Sequence, residues 1–431
     1  PEKTPLLHYD FSGTSAEDGQ LIEDVTGNGN DGVIRGNRAQ ISNGTLTLPG
    51  GDNGSDAAYV ELPEGMFDGK DTLTISLWLK NDTGKGNYAA MFFGSKELVN
   101  GMPLHYWILN PCNLEQGALK TALTDEVAQD GMPYLHEAGF TTNKDSTGER
   151  IVGPTTDNNW GLYTTVITAD TLTGYYNGEN IGTVSLRRSA SDFGSDLVSY
   201  IGKSLYPDKL YKGGVRDVKV YTDELTDEEV QAEYDQGIVN LDASELTMGG
   251  LDAVVEDLVL QDAGNYGSSI TWETSDASVV EADGTIHRAP SEEGDKSAVL
   301  TATIAYGTLG ASTTKEFPVT VKAQAELTKE ESLLLHYEFA DGTATDGSTV
   351  ADTSGNGNDG TIHGKNAGIT DGTLTLPGGA NGSGAAYVQM PTGMFDGRNT
   401  LTISFWLKNE TKNGDYAAMF FGTTENYPRQ Y

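Results

Sequence analysis

TLTISLWLK, residues 72–80, alternates along its whole length. Leu73, Ile75, Leu77 and Leu79 fall on one side; Thr72, Thr74, Ser76 and Trp78 fall on the other. A period of two places successive side chains on opposite faces, so the stretch reads as a strand with one face in a core. The same run returns as TLTISFWLK at 400–408.

The repetition extends outward from that strand. Residues 6–97 realign without a gap on residues 334–425, with well over half of the positions identical. LLHYDF at 6–11 returns as LLHYEF at 334–339, TGNGNDG at 26–32 as SGNGNDG at 354–360, and NYAAMFFG at 87–94 as DYAAMFFG at 415–422. Two such segments share a fold. The first copy reads on to about Gln236, whereas the second stops near its middle, at Tyr431. Half a sandwich exposes core side chains and strand edges, which leads to the expectation that the natural protein continues past Tyr431.

Further strands in the first copy are Tyr163–Ala169 and Leu172–Asn177, a hairpin, then Asn177-Gly178 turning into Asn180–Ser185. GVRDVKVY at 214–221 is a late strand. Thr226 with Glu229 three residues on makes a capping box, and Gly237 can end the helix it opens. Together these predict a sandwich of roughly twelve to fourteen strands closed by one helix. Between the copies, Ser269–Glu273, Val279–Ala282, Ala298–Ile304 and Glu316–Val321 read as strands of a smaller sandwich. The expected organisation is residues 1–237, 238–323, a linker at 324–332, and the opening part of a second large sandwich at 333–431.

Composition narrows the function. Asp plus Glu number 63 against 27 Lys plus Arg, a formal charge of −36. Such a surface repels phosphate backbones and anionic membranes, so nucleic acid is excluded as a partner, while uncharged saccharides and cations remain compatible. No apolar run approaches the ~20 residues of a membrane span. The lone Cys112 allows no intrachain disulfide and has no activating base nearby in sequence, which reads as a buried structural thiol. The chain begins at Pro1 without Met or signal peptide, as a mature or recombinant fragment would.

The strings LLHYDFSG at 6–13, DVTGNGNDG at 24–32, LTISLWLKN at 73–81, NNWGLYTTVIT at 158–168 and GGVRDVKVYTDELTDEEVQAEY at 213–234 resemble the laminin-G-like, concanavalin A-like jelly rolls of bacterial carbohydrate-active enzymes. EDLVLQDAGNYGSSITWETSD at 256–276 and KEFPVTV at 315–321 resemble degenerate bacterial Ig-like domains. The resemblance implies an all-β chain: a jelly-roll sandwich, an Ig-like sandwich and a truncated second jelly roll. It also implies a non-catalytic, saccharide-binding region of a secreted glycoside hydrolase of arabinofuranosidase type, covalently linked to its catalytic domain. The expected ligand is a plant or host polysaccharide or oligosaccharide.

Glycoside hydrolysis needs two carboxylates ~5–9.5 Å apart. No E-x-D-x-E or E-x-D-x-x-E string supplies them here, and Asp227-Glu228-Glu229 suits a helix N-terminus. The resemblance carries a structural Ca²⁺ onto Asp10, Asn28, Asn30 and Asp217, with Asp31 as a spare. The competing reading is that Asn-Gly-Asn-Asp-Gly is turn chemistry only. Sugars stack on aromatic rings, and the candidates are Tyr106, Trp107, Tyr134, His136, Tyr206 and Tyr211. Trp78, Phe92, Phe93 and Trp160 read as core. Two further readings stay open: a structural or adhesive region of a surface protein, and a hydrolase with unorthodox carboxylates.

Overall fold

The computed structural model describes every residue except 1–2, 14, 100, 115–116, 125–136, 140–157, 187, 326–331, 341, 381, 412–413, 415 and 423–431. The chain divides into two compact units, residues 1–289 with 293–323 and residues 290–292 with 324–431. The architecture is all-β with one long helix.

In the first unit two sheets face each other, antiparallel except where 88–89 runs parallel to 209–221. One orders its strands 179–185, 171–176, 160–167, 73–81, 209–221, 45–51, 40–42, with 7–9 and 88–89 also paired to 209–221. The other runs 137–139, 120–124, 106–110, 91–94, 198–201, 59–61, 32–35, 21–22. The alternation at 72–80 is realised: Leu73, Ile75, Leu77 and Leu79 enter the core with Met91, Phe93, Trp107, Leu109 and Leu123 from the facing sheet. The sheets hold nine and eight strands, more than the sequence reading predicted. The surplus consists of pieces such as Leu21–Ile22 and Tyr88–Ala89, too short to show any period. In the expected hairpin, Asn177 and Gly178 both have positive φ (53° and 83°), the backbone that a tight two-residue turn requires.

The helix differs from its predicted length. Thr226 and Glu229 do form the capping box, but the helix runs Asp227–Glu245, past Gly237. Gly237 lies against the Trp78 ring, where a Cβ would come within 2.3 Å. Its role is close approach rather than termination. The first turns seal the jelly roll, with Val230 packed on Val166, Tyr175 and Tyr221. Ile238 and Leu241 cover Trp78 and Leu162 on the outer face of the first sheet. Val239 and Leu246 then enter the core of the following Ig-like module.

That module is a three-stranded sheet, 269–274, 296–306 and 311–321. The strand expected at Val279–Ala282 is reduced to a single bridge between Val280 and Ile286. The intervening turn is tight, and Gly284 (φ 95°) packs on the carbonyl of Leu258. Asp242 of the helix is buried and accepts from the backbone N–H of Tyr266 (2.9 Å) and Ser268 (3.1 Å) and from the Ser268 hydroxyl (2.6 Å). Lys315 Nζ donates to the carbonyls of Ala243 and Leu246, each at 2.7 Å, satisfying groups the helix end leaves open.

In the second unit, strands 349–350, 360–363 and 387–389 make one small sheet, and 368–370 pairs with 373–375. Residues 401–409 pair with no strand among the described residues. Also among the described residues, no helix is long and apolar enough to cross a membrane.

Candidate functional site

Alternation in the second sheet puts one set of side chains into the core and the other on its outer face. The outer set is strongly aromatic: Tyr59, Phe92, Tyr106 and Tyr200, with Ile108, Ala122 and Val198 between them and Ala89, Leu205 and Tyr206 packed against them. The rings form a row across four strands. Tyr59 meets Tyr200 edge-on at 5.7 Å, and Phe92 stacks against Tyr200 at 6.5 Å and Tyr106 at 5.6 Å. Tyr206 closes the row edge-on to Tyr106 at 5.5 Å, their hydroxyls 2.8 Å apart.

Polar groups flank the row. Lys203 Nζ lies 4.3 Å from the Tyr59 ring centre and 5.3 Å from that of Tyr200. Arg35 donates to Glu61 at 2.6 Å on the adjoining strands. Burial raises the Asp208 carboxyl above its usual range, against the opposing charge of Lys120. Burial, helped by Glu61, pushes the Tyr200 hydroxyl up to about 12, so it remains a neutral hydrogen-bonding group at physiological pH. Phe92, Tyr106 and Tyr200 are buried, at 0 %, 1 % and 9 % exposure, so the rings that can meet a sugar are the part-exposed Tyr59 and Tyr206, beside a few polar heads that can orient its hydroxyls.

The aromatic candidates divide. Tyr106 and Tyr206 belong to this face, Tyr106 buried beneath Tyr206 and Tyr206 half-buried. Trp107 and Tyr211 do not. Both are 0 % exposed between the sheets. Trp107 stacks on Phe93 and donates to Thr121, while the Tyr211 hydroxyl donates to the carbonyl of Lys80. Neither can reach a ligand without opening the core, which corrects the expectation for them. Tyr134 and His136 lie outside the described residues. Tyr59 and Tyr200 were not among the candidates, although the short strings YVE and VSYI carry them. Phe92 and Trp78 are buried as expected, but on the outer faces of the two sheets rather than between them. Cys112 is buried, and burial raises its thiol pKa, as suits an inert group.

The residues proposed for Ca²⁺ do not fit that ion. Asp10 and Asp217 line one small cavity, but Arg216 lines it too. Asp217 bonds His8 Nε2 and has Lys219 Nζ at 3.6 Å. Burial would raise its carboxyl pKa, yet His8 and Lys219 hold it below the usual range. Asn28 and Asn30 turn their amide nitrogens to the carbonyls of Pro5 and Leu6, and the Asn30 carbonyl accepts from the Tyr9 hydroxyl at 2.6 Å. Asp31 accepts the Asp24 N–H. The loop is organised by Asp24, whose carboxylate accepts from the N–H groups of His8, Thr26 and Asn30 and from the Thr26 hydroxyl. The second copy repeats this around Asp352, with Tyr337 again donating to Asn358. Among the described residues, no three His, Cys, Asp or Glu side chains gather as a metal set.

Comparison with known proteins places the modules. Residues 53–231 match the concanavalin A-like lectin/glucanases superfamily, and residues 239–324 match the atrophied bacterial Ig domain. An α-L-arabinofuranosidase of Bifidobacterium longum subsp. longum is 26 % identical over 343 residues, 74 % of this chain; the chain spans 28 % of that relative's length. Domain 4 of AbnA, a GH43 extracellular arabinanase of Geobacillus stearothermophilus solved with arabinotriose, covers 54 % of this chain and 98 % of its own at 19 % identity and a TM-score of 0.38. The binding domain of botulinum neurotoxin DC, solved with rat synaptotagmin II, covers 73 % of each chain at 14 % identity and a TM-score of 0.36. Residues 53–231 thus belong to the concanavalin A-like lectin/glucanases superfamily, and residues 239–324 to the atrophied bacterial Ig domains.

Proposed function

We propose that this chain is a non-catalytic saccharide-binding region of a secreted glycoside hydrolase, and that the jelly roll takes its ligand on the outer face of the second sheet. The observation that carries the reading is the pair of part-exposed rings Tyr59 and Tyr206 at the two ends of the aromatic row, with Lys203 over Tyr59. CH–aromatic stacking binds neutral sugars without net charge, which agrees with a chain of formal charge −36. Similarity to an arabinofuranosidase makes arabinose-containing oligosaccharides the first ligands to try. A weak module linked to an enzyme raises the local concentration of substrate without chemistry of its own.

Calorimetric titration of the full chain with arabino-oligosaccharides, preceded by a glycan array, tests this. Tyr206→Ala is expected to weaken binding about tenfold, the loss of one stacked ring. Tyr59→Ala does the same if the ligand spans the row. A chain that binds no glycan is instead an adhesive or structural spacer. Release of reducing sugar by the purified chain would overturn the non-catalytic assignment.

A further inference from the structure

At the Tyr59 end of the aromatic row, alternation brings charged and aromatic side chains to one spot. Ile34 and Val60 are paired and face the core, so Arg35, Tyr59 and Glu61 face outward, and Tyr200 lies opposite Glu61 on the next strand. Strand 198–201 ends at Gly202, whose positive φ (88°) turns the chain, and Lys203 then sets its Nζ over the Tyr59 ring. The carboxylates here are already matched. Glu61 accepts from Arg35 at 2.6 Å, and Glu64 pairs with Lys96 at 2.5 Å. Among the described residues no carboxylate pairs with Lys203, which leaves an uncompensated cation on a part-exposed ring. The formal charge of −36 does not cancel it: charges beyond ~8 Å are screened at physiological salt, so a ligand on this face responds chiefly to the groups beside it.

We infer that this end of the face selects an acidic saccharide, one whose carboxylate or sulfate pairs with Lys203 Nζ while its ring lies on Tyr59. The inference rests on the saccharide reading of the face and narrows its ligand class. An ammonium carries three donors, and its contact with the rings of Tyr59 and Tyr200 is electrostatic, so those donors stay open to an oxygen acceptor. An anion arriving beside the ring forms charge-assisted hydrogen bonds without displacing Lys203. No other group on the face supplies this. Arg35 is held by Glu61, and at the Tyr206 end the charge of Asp208 is set against that of Lys120. Lys203 is only half-buried, so water competes for its head and the pair gives a modest selectivity, about three- to fivefold.

Matched ligand pairs titrated calorimetrically into the full chain test this. The pairs are galacturonic acid oligomers and their methyl esters, xylo-oligosaccharides with and without a glucuronic acid branch, and one oligosaccharide with and without O-sulfation. Neutral arabino-oligosaccharides run alongside. At about 50 mM salt the acidic member of a pair is expected to bind about three- to fivefold tighter, and about 500 mM salt erases the difference. Lys203→Gln is expected to bring the acidic-to-neutral ratio to about one, and Lys203→Arg to keep it; the readout is a ratio, so a partial loss of folded protein does not imitate the effect. The pairs that respond separate carboxylate from sulfate. Acidic members that bind no tighter than neutral ones overturn the inference and leave the saccharide reading standing. So does an acidic preference that survives Lys203→Gln, or binding of arabino-oligosaccharides alone. A chain that binds none of these ligands loses the saccharide reading and this inference with it.

Discussion

Single residues in this protein take their roles from which face of a strand they occupy. Trp107 and Tyr106 are neighbours, yet one fills the core and the other lies on the aromatic face. Trp107→Ala is therefore expected to cost ~3–5 kcal/mol of stability, read as a lowered chemical-denaturation midpoint, with saccharide affinity of the remaining folded protein unchanged. Asp217 is also defined by its neighbours. Its folded carboxyl is held below the unfolded value of 3.8. The unfolded chain thus binds more protons in that window, and the stabilisation is complete above about pH 4 and lost as pH falls through the folded value. Asp217→Asn is expected to flatten the acid limb of the stability curve below pH 4 relative to the parent. An acid limb unchanged by the substitution would show that His8 and Lys219 do not hold the carboxyl as described.

At the scale of elements, the helix 227–245 is the decisive piece. Substitution of glycine by alanine within a helix ordinarily gains about 1 kcal/mol. Gly237→Ala is expected to do the opposite, destabilising by ~1–3 kcal/mol, because its methyl group would overlap the Trp78 ring. A thermal melt decides the sign. Asp242→Ala strips three donors, on Tyr266 and Ser268, of their acceptor, and each unpaired buried group costs ~1–3 kcal/mol. The Gly/Asn loop at 24–32 is the second informative element. Its bonds close on Asp24, and in the second copy burial is outweighed by donors from His336, Ser354 and Asn358, which bring Asp352 to about 2. Chelation with EDTA is accordingly expected to leave the melting temperature unchanged, and a drop on chelation reversed by Ca²⁺ would overturn this reading.

For the molecule as a whole, one helix serves two cores. Trp78 stacks on Tyr234 at 5.6 Å, and Tyr234 meets Tyr306 of the Ig-like module at 6.1 Å. No linker separates the jelly roll from the module that follows it. Residues 1–323 are expected to unfold in a single calorimetric transition, whereas cutting after Gly237 removes Ile238 and Leu241 from Trp78 and lowers the melting temperature of the jelly roll. Two separate transitions for residues 1–323 would mean that the shared helix does not couple the cores.

Local pattern alone determined the long strands such as 73–81 and 160–167, the capping box, the hairpin turn and the kinship of the two copies, because each is written in residues adjacent or a few positions apart. Tyr106 and Tyr206 were legible as aromatics on a strand and a loop, but not as one site. Trp107 and Tyr211 show why: an aromatic ring looks the same in sequence whether a second sheet covers it or solvent does. Only the tertiary structure decided that Gly237 is a contact point rather than a stop, that Arg216 and Lys219 surround Asp217, and that rings from four strands line up on one outer face. Each of those outcomes depends on residues far apart in the chain, brought together by the packing of one layer on another.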